Sequence, residues 1–215
     1  MTSAFRALVL SALLLTGTPA LSAEKLSWRQ IIEEPLAPRL APAGYDVTVV
    51  VFSDYRCPYC RRLHAVLGQL TAADHKVRVI YRDWPVLGAP SVLAARAAIA
   101  SQYQDRYAAF NNALFALPGQ LSEEGIRQAA QAAGVDWPRL QRDMRKHAEQ
   151  ITLLLRHSDA AARALGFEGT PGLLIGHTRN FGAPSLAELQ EAVAEARTET
   201  DPPLARGGQQ APFSG

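Results

Sequence analysis

Cys57 and Cys60 are the only cysteines in the 215-residue chain, and they stand with Pro58 and Tyr59 between them in the stretch FSDYRCPYCRRLH. Two thiols at this spacing admit three chemistries: reversible thiol–disulfide exchange, part of a metal site, or a structural cross-link. The cross-link is a poor use of the pair, because so short a loop removes little entropy from the unfolded chain. For a metal, Cys57, Cys60 and His64 are available, but a closed zinc site needs a further ligand, and neither a second Cys-x-x-Cys nor a His pair follows. Copper(I) can be held by two thiolates alone, so that reading stays open. His75, His147, His157 and His177 are scattered and read as solvated surface.

The elements that must position the pair are a strand and a helix. DVTVVVFSD is a continuous β-branched run, as expected of a strand buried on both faces. After Pro58, the residues Leu63, Val66, Leu67 and Leu70 recur at helical spacing. Pro58 suits the first helical position, which places Cys57 at the helix N-terminus. There, unpaired N–H groups and the helix dipole favour a thiolate, and Arg56, Arg61 and Arg62 add positive charge nearby. Cys60 follows one turn inside, shielded by the helix. One exposed, acidic thiol beside one protected thiol suits exchange.

Downstream, KVRVIYRDW alternates as a second strand. Successive helical stretches follow from SVLAARAAIASQ to ITLLLRHSDAAARALG, with Ser122 and Asp136–Pro138 as N-terminal signals and Gly166 as a stop. GTPGLLIGHTRNFGA reads as strand, turn, strand, and Ser185 caps a last helix. Thr170–Pro171 directly before a core strand admits an ordinary turn or a special role for the proline. Upstream, EKLSWRQIIEEPLAPRLAPAGY reads as a short helix and a Pro/Ala linker over residues 24–45. The C-terminal residues 199–215, rich in Pro, Gly and Gln, are expected to be disordered.

Hydrophobic residues at 48% and charged residues at 20% fit an ordinary globular chain, and a net charge of +2 gives no reason to expect a nucleic-acid partner. MTSAFR, then ALVLSALLLTG, then TPALSA have the order of a secretory signal peptide, residues 1–23, cleaved between Ala20 and Ala23. In an exported protein a lone close pair of cysteines reads as reactive rather than structural.

Taken together, VVFSDYRCPYCRRLH, VRVIYRDWPVLGAPSVLAARAAIA and LGFEGTPGLLIG resemble the DsbA-like branch of the thioredoxin superfamily, in order and spacing. The resemblance implies an α/β thioredoxin fold over residues 46–198 with a helical insertion at about 90–150. It implies Cys57 as the nucleophile, Cys60 as the resolving thiol, and Pro171 as a cis-proline facing them. Thr170, Pro58 and Tyr59 would meet the substrate, and no cofactor beyond the Cys57–Cys60 disulfide is expected. Thioredoxin and DsbA carry a buried acid six positions before the first cysteine, where this chain has Val51. Asp54 is the nearest carboxylate: either it or water would then transfer the proton of the resolving thiol, or that step is slower, and Asp54 reads equally as a turn or cap residue.

The function the resemblance favours is a periplasmic thiol oxidase acting on client proteins and reoxidised by a DsbB-like membrane partner. The alternative is a reductase or isomerase of DsbG or ScsC type, served by a DsbD- or ScsB-like donor. The third is a copper-binding stress module. Residues 24–45 are too few for a dimerisation domain with its own core, which favours a monomer. The alternative is association through Trp28 and Ile32 on the helix at Leu26–Glu33.

Overall fold

The computed structural model describes residues 28–118 and 121–199. The expected signal peptide and nearly all of the expected disordered tail lie outside the described residues. The element order is α1 (Trp28–Ile32), β1 (Arg39–Leu40), β2 (Val47–Ser53), α2 (Pro58–Ala73), β3 (Val77–Asp83), α3 (Ala89–Ser101), α4 (Tyr107–Ala116), α5 (Glu123–Ala132), α6 (Trp137–Lys146), α7 (Ala148–Ala164), β4 (Gly172–Ile175), β5 (Thr178–Phe181) and α8 (Leu186–Thr198). The strands form one sheet in the order β1-β3-β2-β4-β5. β2 and β3 run parallel, with Val51 opposite Tyr81 and Ser53 opposite Asp83. The other pairings are antiparallel.

Strand alternation divides the core. Val47, Val49 and Val51 of β2 and Val77 and Val79 of β3 pack against Leu63, Leu67 and Leu70 of α2 and Leu189 and Val193 of α8. Val50, Phe52 and Ile80 point the other way, into a larger core with residues of α3, α4 and α7. The inserted helices between β3 and β4 therefore cover one face while α2 holds the other. Helix starts follow their cap residues: Ser122 accepts from Gly125 N–H, Asp136 from Arg139 N–H, and Ser185 forms a capping box with Glu188. Gly166, at φ +73°, closes α7.

Two elements differ from the sequence reading. The stretch read as a linker contributes β1, at the sheet edge beside β3, and Pro38 C=O accepts from Tyr81 N–H at 2.9 Å. The prolines end α1 without forbidding a short edge strand, since an edge leaves one side free of ladder bonds. α1 packs on its own domain: Ile31 is fully buried and Ile32 lies against the same core. Secondly, β3 alternates in sequence as read, yet all of it except Tyr81 is buried. Arg82 is enclosed beneath α7 and α1, donating to Ile31 C=O at 2.8 Å and Ser158 Oγ at 3.3 Å.

Candidate active site

β2 ends at Ser53, and the short turn Asp54–Arg56 delivers the chain to the start of α2. Cys57 is the N-cap residue, and its sulfur accepts the Cys60 N–H at 3.4 Å. Pro58 at the first helical turn lacks an N–H, so it removes no bond there. The turn is held from within by Asp54, which is 1% exposed. Its carboxylate accepts from Arg56 N–H at 2.8 Å, Leu87 N–H at 2.9 Å and Ser91 O–H at 2.7 Å. It thereby ties the cysteine turn to the loop before α3, and the Arg56 guanidinium adds a bond to Leu87 C=O. Asp54 is thus an organiser of the turn and not a helix cap, since the N-cap of α2 is Cys57.

The loop before β4 closes over the sulfurs from the opposite side. The Thr170–Pro171 peptide bond is cis, and Cys57 Sγ lies 3.3 Å from Thr170 C=O. Gly172 follows, where an added Cβ would stand 2.6 Å from the Phe167 ring, so the close approach of this loop to α7's end requires glycine. Cys57 was expected to be exposed, but it is 5% exposed against 1% for Cys60, because the Thr170 loop covers it. The asymmetry persists in smaller degree. Tyr59 is 53% exposed, and Pro58 is also on the surface, while Pro171 is buried and Thr170 half-buried.

Both cysteines are free thiols, and their environments separate them. The hydrogen bond from the Cys60 thiol, helped by the Cys60 N–H, Thr170 and the Tyr59 N–H, brings Cys57 down from 9.0 to about 6, against the effect of burial. The same bond and burial push Cys60 well up, although the Asp54 N–H donates to its sulfur at 3.5 Å. At neutral pH the geometry therefore presents Cys57 as a thiolate and Cys60 as its hydrogen-bonding thiol. The arginines contribute less than their number suggests, since Arg56 is engaged at Leu87 and Arg62 lies over the Tyr59 ring at 4.6 Å. His64, a ligand in the metal reading, places Nε2 2.9 Å from Asn112 Oδ1 and stacks on Phe115.

One titratable group escaped the sequence reading. Asp83 ends β3 with 3% exposure, and Tyr107 O–H donates to its Oδ2 at 3.2 Å. Burial raises it from 3.8 to about 7. An aspartate at the end of an apolar strand was the available signal.

A family model described as Thioredoxin matches residues 45–195. A thioredoxin-like oxidoreductase from Silicibacter pomeroyi DSS-3 is 41% identical, covering 81% of this chain and 100% of its own, with a TM-score of 0.77. The thiol-disulfide exchange protein alpha-DsbA2 from Wolbachia pipientis is 29% identical, covering 78% of this chain and 91% of its own, with a TM-score of 0.74. Among curated relatives, the Na(+)/H(+) antiporter NhaA 1 of Mycolicibacterium gilvum is 30% identical over 156 residues, which are 70% of this chain and only 25% of the antiporter. The likeness thus concerns about a quarter of that protein. With the sheet order, the cysteine pair at the start of α2 and the Thr170–Pro171 loop against it, these matches identify the chain as a member of the thioredoxin family and a thiol–disulfide oxidoreductase of the DsbA/ScsC type.

Proposed function

We propose that the protein is an exported thiol oxidant that donates a Cys57–Cys60 disulfide to client proteins. A client thiolate attacks Cys57 Sγ, the Cys57–Cys60 bond breaks, and Cys60 leaves with the electron pair. A second client thiolate then attacks the client sulfur, forming the client disulfide and releasing Cys57 as a thiolate. Pro58, Tyr59 and Thr170 border the sulfur that is attacked, with Val86 and Leu87 adding exposed apolar surface on the loop clamped to the cysteine turn. A membrane redox partner restores the disulfide, and no other cofactor takes part. The N-terminal order of positive, apolar and small residues supports export to the periplasm. α1 packing on its own domain supports a monomer.

The observation that carries the direction is Cys57 lowered to about 6, because whatever stabilises the thiolate stabilises the reduced form and makes the disulfide more oxidising. The size of that effect favours a second reading. At pH 7, a fall from 9.0 to about 6 is worth about 1.4 kcal/mol, or about 30 mV. That is small beside the roughly 150 mV between thioredoxin and DsbA, so a reductase or isomerase of ScsC type is the alternative. The reduction potential against glutathione tests the choice. A value above about −200 mV supports the oxidant, and one near about −270 mV overturns it.

A further inference from the structure

The rim around the sulfurs carries charge that the exchange chemistry itself does not use. Three segments border Cys57: residues 56–62 of the cysteine turn and α2, residues 84–92 leading into α3, and residues 166–172 leading into β4. Their exposed charged residues are Arg56, Arg61 and Arg62, against Glu168 alone. We propose that these arginines select the client: a segment whose reactive cysteine is flanked by aspartate or glutamate is oxidised in preference to a neutral or basic one. The selection rests on the exchange reading above and gives its substrate a chemical class.

Each arginine is held near the sulfur by a different local rule. Arg56 immediately precedes Cys57, and its guanidinium donates to Leu87 C=O across the turn. That bond leaves most of its five N–H donors available on an exposed side chain. Arg61 follows Cys57 by four residues, which puts the two on one side of α2, a turn apart. Arg62 follows Tyr59 by three, and its guanidinium lies 4.6 Å from the centre of the Tyr59 ring. Tyr59 stands between the two cysteines and is 53% exposed, so Arg62 is stationed on the surface that a client must touch.

Among the described residues no carboxylate pairs with these three charges, whereas Arg78, Arg127, Arg163 and Arg197 each have an acidic partner. Asp54 lies beneath the turn, but its oxygens take Arg56 N–H, Leu87 N–H and Ser91 O–H on the buried side. Asp159, which accepts from Trp84 beside this rim, is bound by Arg163. The Cys57 thiolate is held chiefly by hydrogen bonds from Cys60, Thr170 and the Tyr59 N–H, not by the guanidiniums. An unpaired guanidinium on an exposed rim can take a carboxylate through two parallel N–H bonds. Three of them together draw acidic chain toward the sulfur they surround.

Acidic neighbours ordinarily handicap a thiol in exchange, since they hold it protonated and repel a second anion. The arginine rim offsets both penalties once the client lies against it. A lysine-flanked cysteine is the reverse case: its thiolate forms readily, but the rim opposes its approach. The reaction is otherwise unchanged. The client dithiol gives up two electrons and two protons as its disulfide forms. The Cys57–Cys60 bond takes the electrons and becomes a Cys57 thiolate and a Cys60 thiol, so one proton stays on Cys60 and the other goes to solvent.

The test follows the oxidised protein as it reacts with dithiol peptides of one sequence, differing only in the residues that flank the cysteines. These are aspartate and glutamate, glutamine and serine, or lysine, and acid-quenched alkylation reads the rate. Each rate is divided by that of the same peptide with bis(2-hydroxyethyl) disulfide, a neutral reagent that reports the reactivity of the thiol itself. At about 50 mM salt the acidic peptide should react about 10-fold faster than the lysine peptide, falling to about 2-fold near 0.5 M. Arg61→Gln with Arg62→Gln should bring the low-salt ratio below about 3-fold, and Arg61→Glu with Arg62→Glu should reverse it in favour of lysine. A damaged fold cannot produce that reversal. Equal normalised rates in the wild type overturn the proposal, as does an acidic preference that survives high salt or the charge-reversed variant. Failure of the exchange reading is distinct: no peptide of any charge would be oxidised, and the selection would fall with it.

Discussion

The two ends of the central strands follow opposite rules. At the end away from the cysteines, Val47, Val49, Val77 and Val79 pack with Leu67, Leu70, Leu189 and Val193. Charge there lies at the rim, where Arg197 meets Asp46 and Asp74. At the other end Asp54, Tyr55, Cys57, Cys60, Asp83 and Tyr107 are all buried. Aliphatic burial stabilises the fold at about 25 cal/mol per Å². Burying ionisable groups opposes it unless every polar atom is bonded. The site end thus draws on stability supplied by the far end, and it is where protonation equilibria move furthest.

The largest effect that bears on this contrast is loss of the sulfurs themselves. Cys57→Ser should abolish exchange, and Cys60→Ser should accumulate mixed disulfides with clients, seen as thiol-sensitive adducts on non-reducing gels. Equal trapping by the two variants would break the division of labour drawn from their burial and hydrogen bonds. Next comes pH. Asp83 has a folded value of about 7 against 3.8 unfolded, so its contribution favours the fold below 3.8 and is lost as pH rises through 7. Relative to wild type, Asp83→Asn should gain on the order of 4 kcal/mol by about pH 8, measured by urea unfolding of the reduced protein. Cys57 acts oppositely and higher: lowered to about 6, it contributes stability that is full above 9.0 and lost as pH falls to 6. A difference between the variants that does not change with pH would show that Asp83 does not titrate in the fold.

A third test separates stability from chemistry. Leu67→Ala at the far end and Asp54→Ala at the site end should each cost about 3 kcal/mol, the first by opening a cavity and the second by stranding buried donors. Only Asp54→Ala should move the Cys57 thiol and the potential, because Asp54 ties the cysteine turn to Leu87 and Ser91. A redox shift of similar size in Leu67→Ala would erase the distinction between the two ends.

The far end was easily legible in the sequence. An unbroken β-branched run and a helical recurrence at Leu63, Leu67 and Leu70 each have one period, and packing obeys it. The cysteine pair and Thr170–Pro171 were legible because composition and order single them out. What escaped depends on contacts distant in sequence. Asp83 and Asp54 look alike in the chain, yet Ser91 and Leu87 engage one and Tyr107 the other. Arg82 reads as the polar half of an alternating strand until α7 and α1 cover it. β1 hides among prolines because two residues carry no periodicity, and only β3 beside them makes them a strand.

The smallest expected effect sits on the far rim. Arg197 of α8 reaches Asp46 Oδ1 at 2.9 Å and Asp74 Oδ2 at 2.8 Å, joining the last helix to the start of β2 and the end of α2. Its hydrogen bond with Asp74 is the main cause holding that carboxyl below its ordinary value. The contact thus contributes above 3.8 and is lost as Asp74 protonates in acid. Three elements meeting at one guanidinium suggests a strong clamp, but the side chains are 30%, 43% and 26% exposed. Water screens the attraction, and the two carboxylates repel one another, so Arg197→Ala should cost only about 0.5 kcal/mol. That cost should fade at about 1 M salt, where screening reaches contact distance. A loss above about 2 kcal/mol that survives high salt would mean that charge, and not only the aliphatic core, holds the far end together.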